Sequence, residues 1–205
     1  MTTPSRMTPL LRQFDFAFKR LADRMTGPVM DSGNGTGVKV SPLTDEEYLR
    51  EPVPSCLSVR RRSEGPGPHA EFLAGKGDWG RDAALTPPSP PPFTTIAWRL
   101  SHLSELMTLR ADHTVGSHLL TQDDYQISGD AAGAITAFNA GAKAWREALV
   151  SADDAALDTV GRSTYPYGSD PDEPFIEIVW WVNQELLHHG AEIALLRDLY
   201  RAQQR

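Results

Sequence analysis

The stretch WWVNQELLHHGAEIALLRDLY, residues 180–200, is the clearest helical pattern in the chain, within a helix predicted from about Asp172 to Gln203. Apolar side chains recur there at every third or fourth position, as on the buried face of an amphipathic helix. They are Phe175, Val179, Val182, Leu186, Ile193, Leu196 and Tyr200. One gap of seven residues interrupts this apolar stripe, and His189 lies inside the gap.

Three further segments have the same helical periodicity. The first, about Thr8 to Met25, has its apolar residues on one broad face: Leu10, Leu11, Phe14, Phe18, Leu21 and Met25. The second begins after Thr94 or Thr95, either of which is a suitable N-cap, and runs through IAWRLSHLSELMTLRAD. The third is alanine-rich and extends from about Gly129 to Val150.

Residues 27–93, between the first two helices, form a long connection rich in Gly, Pro and Ser, including DSGNGTG and TPPSPPP. A connection of this length is usually functional or disordered. Its segment SPLTDEEYLREPVPSCLSVR is predicted to be ordered, because Thr44 and Glu47 have the spacing of a capping box. No strand pattern is evident. The sequence therefore predicts an all-α four-helix bundle, one domain over residues 1–205, with an insertion between helices 1 and 2.

The composition narrows the cellular setting and the partners. A net charge of −7 argues against a nucleic-acid backbone or an anionic membrane as the main partner. The sequence contains no run of about 18 apolar residues, so it predicts no membrane span. The charged N-terminus lacks the apolar centre of a signal peptide, and the single cysteine, Cys56, suits a reducing compartment. We therefore expect a cytoplasmic protein.

Two polar residues on the last helix interrupt its apolar face. Glu185 and His189 are helical i,i+4 neighbours, so their side chains can reach a common centre. An unpaired buried carboxylate costs several kcal/mol, and a metal ion removes that cost while using the imidazole lone pair. A surface ion pair or a satisfied hydrogen bond is the more common role of such a pair, so the spacing alone does not establish a metal site.

A third ligand must come from a facing helix, and His102 is the best candidate because it lies among leucines in the middle of the second helix. A core or boundary histidine is the alternative interpretation. Two histidines and one carboxylate leave coordination positions open, as in catalytic sites, and this ligand set accepts zinc, nickel or ferrous iron. Glu192 is either a partner that orients His189 or an ordinary solvated carboxylate.

These residues carry a family resemblance over nearly the whole chain. TTIAWRLSHL, followed some 80 residues later by WWVNQELLHHGAEIALLRDLY, resembles the DinB/YfiT-like family of bacterial four-helix-bundle proteins. PLTDEEYLREPVPSCLSVR and PPFTTIAW resemble an actinobacterial branch of it. In that family a histidine of helix two and two histidines of the last helix typically hold a metal, which implies His102, Glu185 and His189 here. Glu185 departs from the common histidine but is similar to the mycothiol-dependent maleylpyruvate isomerase branch, which binds zinc.

The resemblance implies a function as well as a fold. Where activity is known, the family acts as S-transferases and isomerases that use a low-molecular-weight thiol such as mycothiol, bacillithiol or glutathione. We therefore expect a metal-dependent enzyme that joins a thiol to an electrophile, with the loop from Leu43 to Pro92 walling the site. Two alternatives remain: a non-catalytic stress-response or metal- and ligand-sensing protein, and a structural bundle that dimerises through an apolar face. Members of the family are often dimers.

Overall fold

The computed structural model describes residues 5–27, 29–31, 38–164 and 172–204. These residues form five α-helices: α1 (Met7–Thr26), α2 (Asp45–Leu49), α3 (Ile96–Val115), α4 (Ala131–Val150) and α5 (Phe175–Gln203). All four predicted long helices are present, as α1, α3, α4 and α5. Most of the DSGNGTG segment, residues 32–37, lies outside the described residues.

Side-chain caps determine where α3 and α4 begin. Of the two candidate threonines, Thr95 is the N-cap of α3, because its hydroxyl accepts a hydrogen bond from the amide of Trp98. Asp130 caps α4 in the same way through the amide of Gly133. α3 continues to Val115, three residues beyond its predicted end at Asp112.

The predicted absence of strands is wrong, because the described part of the insertion contains short strands. β1 (Val29–Asp31) pairs with β2 (Val38–Val40), and β5 (Trp79–Ala83) lies between β3 (Val59–Arg61) and β4 (Phe72–Ala74), all antiparallel. The described chain is thus mainly helical with two small sheets, one of two strands and one of three. Three to five residues per strand are too few to show alternation, and β5 buries the charged Arg81 and Asp82 where an apolar pattern would be expected.

The long helices pack against one another around a shared core. α3 contacts α4 and α5, and α1 contacts α5 and α4. The predicted apolar face of α1 points inward: Phe14, Leu21 and Met25 are buried, and its other members pack against the core at partial exposure. On α5 the buried residues include most of the predicted stripe: Phe175, Val179, Val182, Leu186 and Ile193.

An ion pair inside the core ties the insertion to α5. Thr44 caps α2 as predicted, with its hydroxyl accepting from the Glu47 amide, but the Glu47 side chain does not complete the capping box. It pairs instead with Arg197 of α5, at 2.8 and 3.0 Å. Both side chains are at most 3% exposed, so Arg197 is a core residue and not simply a basic residue near a helix end.

Candidate metal centre

α3 and α5 bring His102, Glu185 and His189 together. Nε2 of His102 and Nε2 of His189 each lie 3.0 Å from the same oxygen, Oε2 of Glu185. One ligand atom from each residue lies within 4.8 Å of the others. The structure therefore places all three residues that the sequence analysis named at one point between the two helices.

Helix direction and spacing produce this convergence. Glu185 and His189 lie one turn apart on α5 and so share a face. α3 runs opposite to α5, since His102 meets Glu185 whereas Arg110, two turns further along α3, lies over the Trp181 ring at 5.0 Å. His102 is therefore the candidate ligand of α3 that reaches the Glu185–His189 pair.

The three candidate ligands are partly shielded from solvent. Their side chains are 25% exposed for His102, 18% for Glu185 and 8% for His189. The Trp98 ring stacks on the His102 ring at 5.4 Å, and the rings of His102 and His189 meet edge to face at 5.1 Å. These contacts restrict the rotamers of both imidazoles, which favours a preformed site.

The surroundings of the centre favour an ionised Glu185 and a neutral His102. Burial raises the pKa of Glu185, but the contacts with His102 and His189 outweigh burial, so its pKa lies well below the ordinary value. Burial lowers the pKa of His102, and the contact with Glu185 opposes that shift only in part. The neutral imidazole and the ionised carboxylate are the forms that bind a cation.

Two of the three ligand separations fit a divalent ion. Two bonds of roughly 2.0–2.1 Å at a tetrahedral angle place their ligand atoms about 3.3 Å apart. The observed 3.0 Å between each imidazole nitrogen and the Glu185 oxygen is within a few tenths of an ångström of that value. Two nitrogens and one carboxylate oxygen suit zinc, nickel and ferrous iron, and three ligands leave coordination positions open.

Glu192 and Arg99 surround the far side of the His189 ring. Oε2 of Glu192 lies 2.6 Å from Nδ1 of His189, so Glu192 contacts a candidate ligand and is not merely solvated. Nε of Arg99 lies 3.0 Å from that oxygen, and the second Glu192 oxygen lies 3.4 Å from Nε2 of His188. The carboxylate thus connects three cationic or basic groups beside the centre.

Sequence reasoning overlooked two charged groups next to the site. Arg99 precedes His102 by three residues on α3, a spacing that could have indicated a shared face. Glu105, also on α3, is buried and pairs with Arg81 of β5 at 2.8 Å. No local sequence pattern indicates the pair of Glu105 with Arg81, because Arg81 belongs to a strand that was not predicted.

A cleft of about 470 Å³ adjoins His102, one of the three candidate ligands. His102, Leu106 and Arg110 line it from successive turns of α3, and Trp181 lines it from α5. Residues of the insertion supply further wall: Phe72, Ala84 and Leu85. The cleft is therefore a space beside His102 large enough for part of a small molecule.

Three consecutive arginines of the insertion, Arg60 to Arg62, contact the protein itself. Arg60 pairs with Glu51 and Asp82, each at 2.8 Å. Arg61 lies over the Trp79 ring, and Arg62 donates to backbone carbonyls, including that of Gly77 at 2.9 Å. These contacts stabilise the insertion.

Fold and site together define a mainly helical protein with a candidate centre for one divalent ion between two antiparallel helices. A model of the DinB superfamily matches residues 39–193, and the chain belongs to that superfamily. No curated protein and no solved structure matched the chain. Within the described residues, no helix combines the length and apolar character needed to cross a membrane.

Proposed function

We propose that the protein is a divalent-metal-dependent enzyme whose ion is held by His102, Glu185 and His189. The convergence of three ligand atoms within 4.8 Å carries this proposal. Zinc and nickel are the ions that best match two imidazoles and one carboxylate, and iron is also compatible. The four long helices would form the bundle typical of the DinB/YfiT-like family, within one domain.

The reaction that we propose is thiol S-transfer or isomerisation with a low-molecular-weight thiol of the mycothiol type. A bound divalent ion would lower the pKa of a thiol in an open position, so that the nucleophilic thiolate exists at neutral pH. Glu192 would hold the His189 ring in place. The neighbouring cleft supports this function because it offers an electrophile an apolar wall, from Leu106 and Trp181, directly beside His102.

The insertion would determine substrate choice. Phe72, Ala84 and Leu85 all lie within the Leu43–Pro92 segment and line the cleft with α3 and α5. Segments that line a cleft on a rigid helical scaffold can change without altering the metal ligands. Substitutions of Phe72, Ala84 and Leu85 would therefore change the range of electrophiles and leave metal binding unchanged.

The first test is metal analysis of protein purified without a histidine tag. We expect about one ion per chain, lost in His102→Ala and in His189→Ala. His69→Ala is the matched control, because His69 is exposed in the insertion and belongs to neither candidate ligand group. A metal-free native protein, or full metal content in His102→Ala, would contradict the proposed site.

The second test separates an enzyme from its alternatives. Mycothiol, bacillithiol and glutathione are each combined with the fluorogenic electrophile monochlorobimane, using metal-loaded and metal-depleted protein. We expect conjugation above the uncatalysed rate with the loaded protein only. Metal binding without turnover across a broad panel of electrophiles would instead support a stress-response or sensing role.

We also propose that the protein is a cytoplasmic homodimer. An apolar groove along α1 and α5 supports the dimer, since Phe16 and Leu195 line it at 63% and 60% exposure. Light scattering tests this directly: we expect twice the chain mass, and half that value for Leu195→Glu. A monomeric native protein would contradict the dimer.

A further inference from the structure

Two groups of candidate metal ligands share His189. The first is His102, Glu185 and His189, and the second is His188, His189 and Glu192. They use opposite nitrogens of the shared ring: Nε2 faces Glu185 at 3.0 Å, and Nδ1 faces Glu192 at 2.6 Å. The groups around His189 therefore decide which of its two nitrogens would bind an ion.

The guanidinium of Arg99 lies within the second group. Its Nε is 3.0 Å from Oε2 of Glu192, and its Nη1 is 3.1 Å from Nδ1 of His189. The Trp98 ring lies 5.2 Å from the guanidinium carbon, and the Arg99 side chain is only 19% exposed. A fixed cation thus occupies the position where the Nδ1 and carboxylate ligands of a second ion would converge.

The contacts of the His189 ring fit an ion at Nε2. A neutral imidazole carries one hydrogen, so an ion bound at Nε2 would place that hydrogen on Nδ1. Oε2 of Glu192, 2.6 Å from Nδ1, would then accept it, and Nε of Arg99 forms an ion pair with the same oxygen at 3.0 Å. The Nε2 lone pair would then be available on the side of Glu185 and His102.

We propose that Arg99 selects which of the two ligand groups binds the metal ion. It holds Glu192 as the acceptor for Nδ1–H, and its own charge repels a cation from the His188 side. Arg99 is a positioning residue in this scheme, acting through Glu192 and His189. This inference rests on the proposed function, since it requires that the group with His102 binds metal in the native protein.

The test uses zinc binding in a background where the native group is disabled. His102→Ala alone should lose tight zinc binding. Adding Arg99→Met removes the cation with little change in side-chain volume, and we expect zinc affinity to rise by at least about 10-fold over His102→Ala, the scale of outer-shell effects. A further His188→Ala should abolish that gain, because the new site would use His188.

Matched variants control for charge and for general effects. The double variant Arg99→Lys with His102→Ala should show no tight zinc binding, because lysine retains the positive charge. Arg146→Met with His102→Ala should also stay without it, because Arg146 pairs with Asp15 on α1, at 2.7 Å. Zinc affinity by chelator competition is the readout. No gain from Arg99→Met, or an equal gain from Arg146→Met, would overturn the inference.

A measurement on the native zinc-loaded protein needs no variant. Long-range ¹H–¹⁵N spectra of the imidazoles distinguish a protonated from a metal-bound nitrogen. We expect His189 to carry its hydrogen on Nδ1 and zinc on Nε2, and zinc on Nδ1 would overturn the inference. Failure of the proposed function is distinguishable, because the native protein would then bind no zinc or bind it independently of His102.

Discussion

Oε2 of Glu185 lies 3.0 Å from Nε2 of His102, although 83 positions separate the two residues in the chain. Glu185 also contacts His189 at 3.0 Å through the same oxygen, so one carboxylate oxygen faces both imidazoles. The carboxylate is therefore the central member of the candidate ligand set. Replacing Glu185 with other side chains therefore tests the candidate site most directly.

Glu185→Gln should weaken zinc binding by more than the roughly 10- to 100-fold typical of outer-shell partners. The amide removes the negative charge and is a poorer metal ligand. Glu185→His should retain one ion, because it restores the common ligand set of the family. Chelator competition measures both, with Glu177→Gln, at an exposed position of α5, as the control. Equal affinities for the glutamine variant and the native protein would argue against Glu185 as a ligand.

The metal-free protein should lose stability as the pH falls. The pKa of Glu185 lies below its ordinary value of 4.5, so its contribution is complete above that pH and is lost towards the lower folded-state pKa. The pKa of His102 is lowered from 6.5 by burial, and the unfolded chain therefore binds this proton first. Both effects reduce the free energy of unfolding on acidification.

Urea unfolding of metal-depleted protein from pH 7.5 down to about pH 2.5 checks this prediction, because the loss from Glu185 falls below pH 4.5. Glu185→Gln should show a smaller loss below pH 4.5 than the native protein, because it has no carboxylate to protonate. Stability that rises on acidification in the metal-free native protein would contradict the assignment of these charges.

Arg197→Met should destabilise the fold by about 3–5 kcal/mol, because it leaves the buried carboxylate of Glu47 without its cation. Arg146→Met is the matched control, since its pair with Asp15 is exposed by 40% or more on both side chains and should contribute about 0–1 kcal/mol. Denaturant titration at constant pH compares the two variants. Similar losses in both would show that burial of the Arg197 pair has no special weight.

Two helix glycines should respond oppositely to alanine. A Cβ on Gly141 of α4 would lie 2.7 Å from the carbonyl oxygen of Ser104, so the helices must separate at a cost of about 1–3 kcal/mol. A Cβ on Gly190 of α5 would meet its nearest atom, in Leu21, at 3.7 Å, which is ordinary contact. Gly190→Ala should therefore be neutral or stabilising by up to about 1 kcal/mol. Thermal unfolding of both variants decides, and tolerance of alanine at Gly141 would contradict the close packing of α3 on α4.

Local periodicity was sufficient to predict the long helices, because the spacing of apolar residues and the caps act within a few positions of each other. It also placed Glu185 and His189 on one face of α5. It did not reveal the strands, since three to five residues give little periodicity and β5 buries Arg81 and Asp82. Arg81 is stabilised by Glu105 on α3, and Asp82 is stabilised by Arg60 on β3. Sequence spacing indicates neither pair.

The position of His102 required more than its own helix. The family resemblance named it as a ligand, and the packing of α3 against α5 brings its Nε2 to 3.0 Å from Glu185. Only tertiary structure revealed the pair of Arg197 with Glu47 and the guanidinium of Arg99 beside His189. Helix formation depends on neighbours along the chain, whereas charge pairing and ligand convergence depend on distances between segments, which only the folded chain determines.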